Sequence, residues 1–131
     1  MKKIQGILAV VLLLGILSGC GPKDTTLTID NNGQPETIHI GGSVLVQLPA
    51  NPSAGFTWEA SQLDANLLKQ VGQTEYQSAS SNPAPGQGGT QILRFQAIAA
   101  GSTTLTLVYH QPFDKSTPPA QTYSIPLSIA P

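Results

Sequence analysis

Apolar and polar side chains alternate with a period of two in short segments throughout the chain after about residue 24. In residues 101–109 Leu105, Leu107 and Tyr109 alternate with Thr104, Thr106 and Val108. Alternation of this kind, bounded by Gly, Pro and Asn, predicts β-strands with one buried face. The other alternating segments are residues 25–29, 37–40, 43–48, 56–58, 90–97 and 121–129.

About seven or eight short strands in one domain predict an all-β fold, an immunoglobulin-like β-sandwich, with a small barrel as the alternative. Residues 61–71 stay open between a strand and a helical turn or irregular crossover, because leucines and a valine recur there at helical spacing. Pro126 in the last strand predicts an edge position or a bulge, since proline has no N–H to donate to a ladder.

Two polar segments interrupt the strands. Residues 30–33 read Asp-Asn-Asn-Gly and predict a hairpin turn; they lack the spacing to a bidentate glutamate that a calcium loop requires. Residues 78–89 are rich in Ser, Asn, Pro, Ala and Gly and predict a surface loop, because such a segment has little apolar surface to bury.

Three turn-forming segments lie between predicted strands, where binding surfaces are commonly built. Loop 1 (residues 51–56) reads Asn51-Pro52-Ser53-Ala54-Gly55-Phe56 and is followed by Trp58. The proline ring fixes φ and the glycine accepts positive φ, so the sequence predicts a stiff turn. Two small side chains, those of Ser53 and Ala54, lie at its tip, and Phe56 or Trp58 anchors it in the core. Taken alone, the segment is equally compatible with a turn of no functional role.

Loop 2 (residues 86–89) reads Gly86-Gln87-Gly88-Gly89, and loop 3 (residues 111–113) reads Gln111-Pro112-Phe113. Without Cβ atoms, loop 2 permits close approach to another backbone. It is not a phosphate-binding loop, because no Lys-Ser/Thr pair follows. In loop 3 a rigid proline precedes an aromatic residue. An exposed Phe113 would suit an interface, whereas the alternative is that it folds back onto the core.

Together and in this order, the three loops resemble those of the chagasin family, which inhibits papain-type cysteine proteases. That family reads Asn-Pro-Thr-Thr-Gly-Tyr/Phe with a Trp two residues on, then Gly-x-Gly-Gly, then Arg-Pro-Trp. The departures here are Ser53 and Ala54 for the two threonines, Gln111 for arginine and Phe113 for tryptophan. The matching positions are Asn51, Pro52, Gly55, Phe56, Trp58, Gly86, Gly88, Gly89 and Pro112.

The resemblance implies an immunoglobulin-like sandwich with all three loops at one end and a papain-family protease as partner. It also implies that loop 1 enters the catalytic cleft of the protease and that loops 2 and 3 grip its walls. The protease-binding set carried over is Asn51, Pro52, Ser53, Ala54, Gly55, Phe56, Gly86, Gly88, Gly89, Gln111, Pro112 and Phe113. The alternative function is a non-inhibitory immunoglobulin-like envelope lipoprotein with a structural or adhesion role.

The amino terminus predicts export. Lys2 and Lys3 precede an apolar run, and Leu17-Ser18-Gly19-Cys20 follows it. This predicts a signal peptide over residues 1–19 and resembles a bacterial lipobox, whose cysteine is acylated. The expected product is lipidated on Cys20, has a tether over residues 20–24 and an inhibitor domain over residues 25–131, and is anchored to the membrane of the cell envelope. Gly21 in place of aspartate favours the outer membrane in a Gram-negative cell.

The charged residues, the single cysteine and the two histidines limit the classes of function that the sequence supports. Beyond residue 20 there are four basic and seven acidic residues, and no basic patch for nucleic acid is present. The chain has one cysteine and two histidines, and no cluster of Asp, Glu and His suggests a metal site. We therefore expect a non-enzymatic, monomeric protein without cofactor or metal.

Overall fold

Nine β-strands make up most of the described chain, residues 21–131 of a computed structural model. The predicted signal peptide and Cys20 lie outside these described residues. Two 3-10 turns, Ile29–Asn31 and Pro52–Ala54, are the helical elements within residues 21–131. The strands are β1 (Asp24–Thr28), β2 (Glu36–His39), β3 (Ser43–Ala50), β4 (Thr57–Gln62), β5 (Leu68–Gln70), β6 (Glu75–Ser78), β7 (Gly89–Ala97), β8 (Gly101–His110) and β9 (Gln121–Ala130).

These strands form two sheets, and their inner faces enclose one core. The first sheet has the order β1-β3-β7-β5, with β6 also paired to β7, and the second has the order β2-β9-β8-β4. The chain therefore folds as the immunoglobulin-like β-sandwich that the alternation predicts. Two short strands raise the count to nine, because β5 and β6 pair with successive parts of β7.

The predicted alternation is confirmed in the long strands, where every second side chain is buried. Since successive side chains of a strand point to opposite faces, each strand contributes one apolar row to the space between the sheets. The buried side chains of β3, β7, β8 and β9 include Val44, Val46, Leu48, Leu93, Phe95, Leu105, Leu107, Tyr109, Tyr123, Ile125, Leu127 and Ile129. Within residues 21–131 these side chains belong to one core cluster.

The predicted hairpin at residues 30–33 is wrong. β1 runs parallel to β3 in the first sheet, whereas β2 runs parallel to β9 in the second. The segment therefore crosses between the sheets, and it is held against β9 by the Gly33 N–H, which donates to the Ser124 carbonyl at 2.7 Å. Turn-forming composition marks a change of direction, but it does not say which strand the chain joins next.

Pro126 lies in an interior strand rather than an edge strand, since β9 is paired on both sides. The N–H and C=O of Ser124 bond to Asn32 and Gly33 and not to β8. Pro126, two residues on, therefore also directs its nitrogen away from β8. Pairing with β2 begins only at Leu127, so no ladder bond is lost.

Residues 61–71 combine a strand end, a turn and a strand. β4 ends at Gln62 after a register shift, and β5 begins at Leu68. The backbone N–H groups of Leu67 and Leu68 both bond to the Asp64 carbonyl, so the turn between the strands is tight. The helical spacing here reflects a turn into β5 from which Leu63, Leu67 and Leu68 pack against the core.

The two ends of the sandwich differ in character. Ala50 pairs with Gly89, Thr57 with His110 and Tyr109 with Gln121, so these strand ends meet at one end, the loop end. The opposite end, the base, is formed by residues 40–42 and 98–100 together with the incoming residues 21–23. None of the helical segments in residues 21–131 has the length and apolar character that a membrane span requires.

Candidate functional site: three joined loops at one end of the sandwich

Loop 1 is a single 3-10 turn closed by a left-handed glycine. The N–H of Ala54 donates to the Asn51 carbonyl at 3.1 Å, and the N–H of Gly55 donates to the Pro52 carbonyl at 2.9 Å. Gly55 has φ +81° and ψ 8°, a conformation that costs L-residues with a side chain about 1–2 kcal/mol. The Ser53 hydroxyl donates to Asn51 Oδ1 at 2.5 Å, so the turn is braced from inside. Its small tip residues, Ser53 and Ala54, are exposed.

Aromatic side chains fix both legs of loop 1 in the core. Tyr109 of β8 lies between Phe56 and Trp58, with ring centroids 5.2 Å and 5.0 Å away. Its hydroxyl accepts the Asn51 N–H at 2.8 Å, and Trp58 Nε1 donates to the Pro49 carbonyl at 2.9 Å. Trp58 is buried and Phe56 is half-buried, so both aromatic residues anchor the loop.

Gln91 is the buried polar residue that ties the leaving leg of loop 1 to the other sheet. It is 5% exposed on β7. Its Oε1 accepts the Trp58 N–H at 2.9 Å, while its Nε2 donates to the Trp58 carbonyl at 3.0 Å and to the Thr57 hydroxyl at 2.9 Å. These three hydrogen bonds pair both polar atoms of the Gln91 side chain with β4 across the sandwich, which fixes where β4 begins.

Loop 2 is joined to loop 1 through Asn51. The Nδ2 of Asn51 donates to the Gly86 carbonyl at 3.0 Å. At Gly89 a Cβ would clash with the carbonyl oxygen of Gln77, and at Gly88 it would lie 3.0 Å from the Ala50 carbonyl oxygen. The close backbone approach that the glycines permit is therefore made within this protein, against β6 and β3. Residues 79–87 are exposed, as their composition predicts.

Loop 3 packs against the other side of loop 1. Gln111 Nε2 donates to the Ala54 carbonyl at 3.3 Å, and the Phe113 ring lies over Gly55. Phe113 is nevertheless 76% exposed, so it does not fold into the core. Pro112 is exposed beside it. The apolar surface of loop 3 is therefore open to a partner.

The residues after loop 3 form their own turn around Asp114. Its carboxylate accepts the Ser116 hydroxyl at 2.6 Å, the Thr117 hydroxyl at 2.6 Å and the Ser116 N–H at 3.0 Å. These bonds, the Ser116 hydroxyl first, favour the charged form and lower the pKa of Asp114 to about 2. At neutral pH the turn is therefore held by a carboxylate.

The structure brings all twelve sequence-predicted loop residues to one end. Asn51 bonds to loop 2, and Gln111 and Phe113 contact loop 1, so the three loops form one surface with loop 1 at its centre. Sequence reasoning missed Gln91 as a positioning residue. Its signal is a polar side chain in the same phase as Leu93 and Phe95, which predicts burial with a specific partner.

Other chemistry is sparse in the described part of the chain. His110 Nε2 lies 2.7 Å from Glu59 Oε2 on the outer face of the second sheet, and His39 is exposed at the base. Within residues 21–131 no three His, Cys, Asp or Glu side chains are grouped as metal ligands would be. Among the described residues, the three joined loops are therefore the candidate functional site.

Comparison with known proteins agrees with this geometry. The family model described as "Chagasin family peptidase inhibitor I42" matches residues 37–127. Chagasin of Trypanosoma cruzi is 30% identical over 90 residues, which cover 66% of this chain and 81% of chagasin.

Solved structures extend the likeness to the fold. The cysteine protease inhibitor EhICP2 of Entamoeba histolytica superposes with a TM-score of 0.73 at 20% identity, covering 85% of this chain and 99% of that one. Amebosin superposes with a TM-score of 0.66 at 27% identity, covering 83% and 99%. With the family model spanning most of the sandwich, from β2 into β9, this chain belongs to the chagasin family of peptidase inhibitors.

Proposed function

We propose that this protein is a reversible inhibitor of papain-family cysteine proteases, in which loop 1 occupies the catalytic cleft and loops 2 and 3 contact the cleft walls. Family membership supports the class of activity. The observation that carries the mechanism is the bonding between loops: Asn51 reaches Gly86, and Gln111 reaches Ala54. A surface already ordered before binding loses little conformational entropy on association.

Loop 1 has the shape that a narrow cleft admits. Its tip consists of Ser53 and Ala54, and neither side chain is large enough to hold the backbone away from the protease. The 3-10 turn also bends the chain away from the extended form in which a substrate presents its carbonyl to a nucleophile. Loop 1 therefore fills the cleft without placing a peptide bond in line with the catalytic cysteine, and it is released uncleaved.

The flanking loops contribute different surfaces. Loop 2 offers the exposed backbone of Gly86, since Gly88 and Gly89 already pack against β3 and β6. Loop 3 offers the exposed rings of Pro112 and Phe113. Gln111 is uncharged and donates to the Ala54 carbonyl, so it braces loop 1 at the position where the family motif has an arginine. We expect affinity for the protease to depend on apolar contact at Phe113 more than on charge.

The lipid anchor belongs to the same proposal. Cys20, the residue before the described chain, carries the acyl groups, and the protein is held on the membrane of the cell envelope. Support comes from the lipobox-like sequence and from the position of residues 21–23 at the base, opposite the loops. An anchored molecule would then present its inhibitory loops away from the bilayer.

Titration of papain with residues 21–131 tests the inhibitory function. This fragment contains all nine strands and the core cluster of the described chain, so we expect it to fold. We expect stoichiometric inhibition, relieved on dilution, with the fragment recovered at full length. A fragment that is folded by circular dichroism but leaves papain active at micromolar concentration would contradict the proposal and favour the non-inhibitory envelope module.

The anchor is tested separately with the full chain in a bacterium fed radiolabelled palmitate. We expect label in the wild-type protein and none in Cys20→Ser. Equal labelling of the two proteins would refute acylation at Cys20.

A further inference from the structure

The base of the sandwich has an apolar tip built from two adjacent loops. Residues 40–42 read Ile-Gly-Gly and residues 98–100 read Ile-Ala-Ala, without a polar side chain. Ile40 is 46% exposed and Ile98 is 45% exposed. The Gly41 N–H donates to the Ala97 carbonyl at 2.9 Å, which holds the two loops side by side. Large aliphatic side chains are thus presented together at a strand end, where polar turn residues are usual.

The incoming chain is fixed to this same tip. The Lys23 carbonyl accepts the Ser43 N–H at 3.2 Å, and the Cβ of Pro22 lies 3.9 Å from a Cβ built on Gly41. Gly21, the first described residue, lines a cavity at the base together with Pro22 and Ile40. The chain therefore enters the domain beside this apolar tip, so a lipid on the preceding residue tethers the domain from this end.

Charge at the base does not oppose an anionic surface. The third connection at this end, residues 63–67, carries Asp64, and the incoming chain carries Lys23. Asp24 is paired with Arg94 at 2.8 Å. The acidic excess of the domain is therefore not concentrated at this end.

From this arrangement we infer that the base is a membrane-docking surface, in which Ile40 and Ile98 enter the bilayer interface beside the lipid anchor. The inference rests on the proposed acylation of Cys20 and goes beyond it, because an anchor alone leaves the domain free to tilt. Apolar side chains at the headgroup boundary add to binding and fix orientation. β9 has ten residues and spans about 33 Å, so upright docking holds the inhibitory loops about that far from the membrane.

Depth-dependent quenching tests the inference on the full lipidated chain. Acylation consumes the Cys20 thiol, so a cysteine introduced elsewhere is the one free thiol for a bimane label. Labels are placed by Ile40→Cys and Ile98→Cys at the base, Ser128→Cys on the outer sheet face and Lys115→Cys at the loop end. The protein is reconstituted into phosphatidylethanolamine and phosphatidylglycerol vesicles with a nitroxide lipid.

We expect labels at positions 40 and 98 to be quenched several-fold more than those at 128 and 115. Strongest quenching at 128 would show that the sheet face lies on the membrane. No quenching at 40 and 98 would show that the base is held away from the membrane. Either result overturns docking. Protein that fails to float with vesicles would instead overturn the anchor, and docking with it.

A second variant distinguishes insertion of the two isoleucines from simple closeness of the base to the membrane, which a short tether alone would cause. Ala100, exposed at the base, is labelled through Ala100→Cys with and without Ile40→Asp and Ile98→Asp. Docking predicts that quenching at position 100 falls several-fold in the aspartate variant while vesicle flotation is unchanged. Equal quenching would show that the isoleucines do not enter the interface.

Discussion

The ring of Phe113 lies against the backbone of Gly55. A Cβ built on Gly55 would be 3.0 Å from Cε1 and 3.2 Å from Cζ of that ring. Loop 3 thus covers the one residue of loop 1 that requires positive φ, and it does so while most of the ring stays exposed to solvent. The contact makes the shape of loop 1 and the apolar surface of loop 3 interdependent.

Replacing Gly55 is expected to distort loop 1. In Gly55→Val the branched side chain meets Phe113 and the φ of +81° becomes strained, so we expect a loss of about 1–2 kcal/mol in the free energy of unfolding. Inhibition of papain should weaken by at least about tenfold, since 1.4 kcal/mol corresponds to that factor. The control is Gly72→Val, which has φ +72° in open space away from the loops. Equal inhibition by wild type and Gly55→Val would contradict the proposal that loop 1 occupies the catalytic cleft.

The bond between loops 1 and 2 is tested by Asn51→Ala. This change removes the Gly86 contact and the acceptor of the Ser53 hydroxyl, while the backbone N–H to Tyr109 is kept. We expect stability to fall by about 1 kcal/mol and papain inhibition to weaken by about tenfold. Asn66→Ala, in the turn between β4 and β5 at the base, is the matched control and should inhibit as wild type does. If the two variants inhibit equally, loop 2 does not support loop 1.

Two tyrosine hydroxyls allow the effect of lost stability on inhibition to be separated from the effect of a displaced loop 1. Tyr109→Phe leaves the Asn51 N–H without its acceptor, whereas Tyr123→Phe leaves the Thr28 carbonyl without its donor. Each change should lower the free energy of unfolding by about 1–2 kcal/mol. Only Tyr109→Phe should weaken inhibition, because the bond between Tyr123 and Thr28 does not hold any of the three loops. Inhibition and urea unfolding measured on both variants decide the point; equal inhibition by the two would refute a positioning role for Tyr109.

Gln91 is expected to be a large contributor to stability. Gln91→Met preserves volume but leaves the N–H and C=O of Trp58 unpaired in the core, which should cost about 2–4 kcal/mol. Gln96→Met, on the same strand but half-buried near the base, is the control and should cost less than about 1 kcal/mol. Thermal unfolding monitored by circular dichroism measures both. A change of similar size in the two variants would mean that the Trp58 backbone finds other partners.

Alkaline pH should destabilise the domain through Tyr123. Burial raises the pKa of Tyr123 to about 12, whereas an unfolded tyrosine titrates near 10. Between these values the unfolded chain releases a proton that the native state keeps, so the free energy of unfolding falls as pH rises. The difference in stability between wild type and Tyr123→Phe should be constant below about pH 10 and shrink from there to pH 12. A difference independent of pH would contradict the burial effect.

Local pattern was sufficient for seven of the nine strands in the described chain and for the fold class. The apolar rows Leu105–Leu107–Tyr109 and Tyr123–Ile125–Leu127 were predicted on their buried faces, since a period of two permits only two faces and one is plainly apolar. Loop 1 was predicted as a stiff turn because Pro52 and Gly55 each restrict or require particular backbone angles. These are properties of single residues and their neighbours.

Pairing between distant segments was decided only by the tertiary structure. The segment at Gly33 crosses to β9 instead of forming a hairpin. Pro126 is tolerated in an interior strand because pairing with β2 begins only beyond it. Likewise Gln91 faces Trp58, and Phe113 covers Gly55, across separations that no local pattern encodes. Alternation determined which faces are buried, whereas the packing of two sheets determined which residues meet, because that choice depends on fitting all side chains into the core at once.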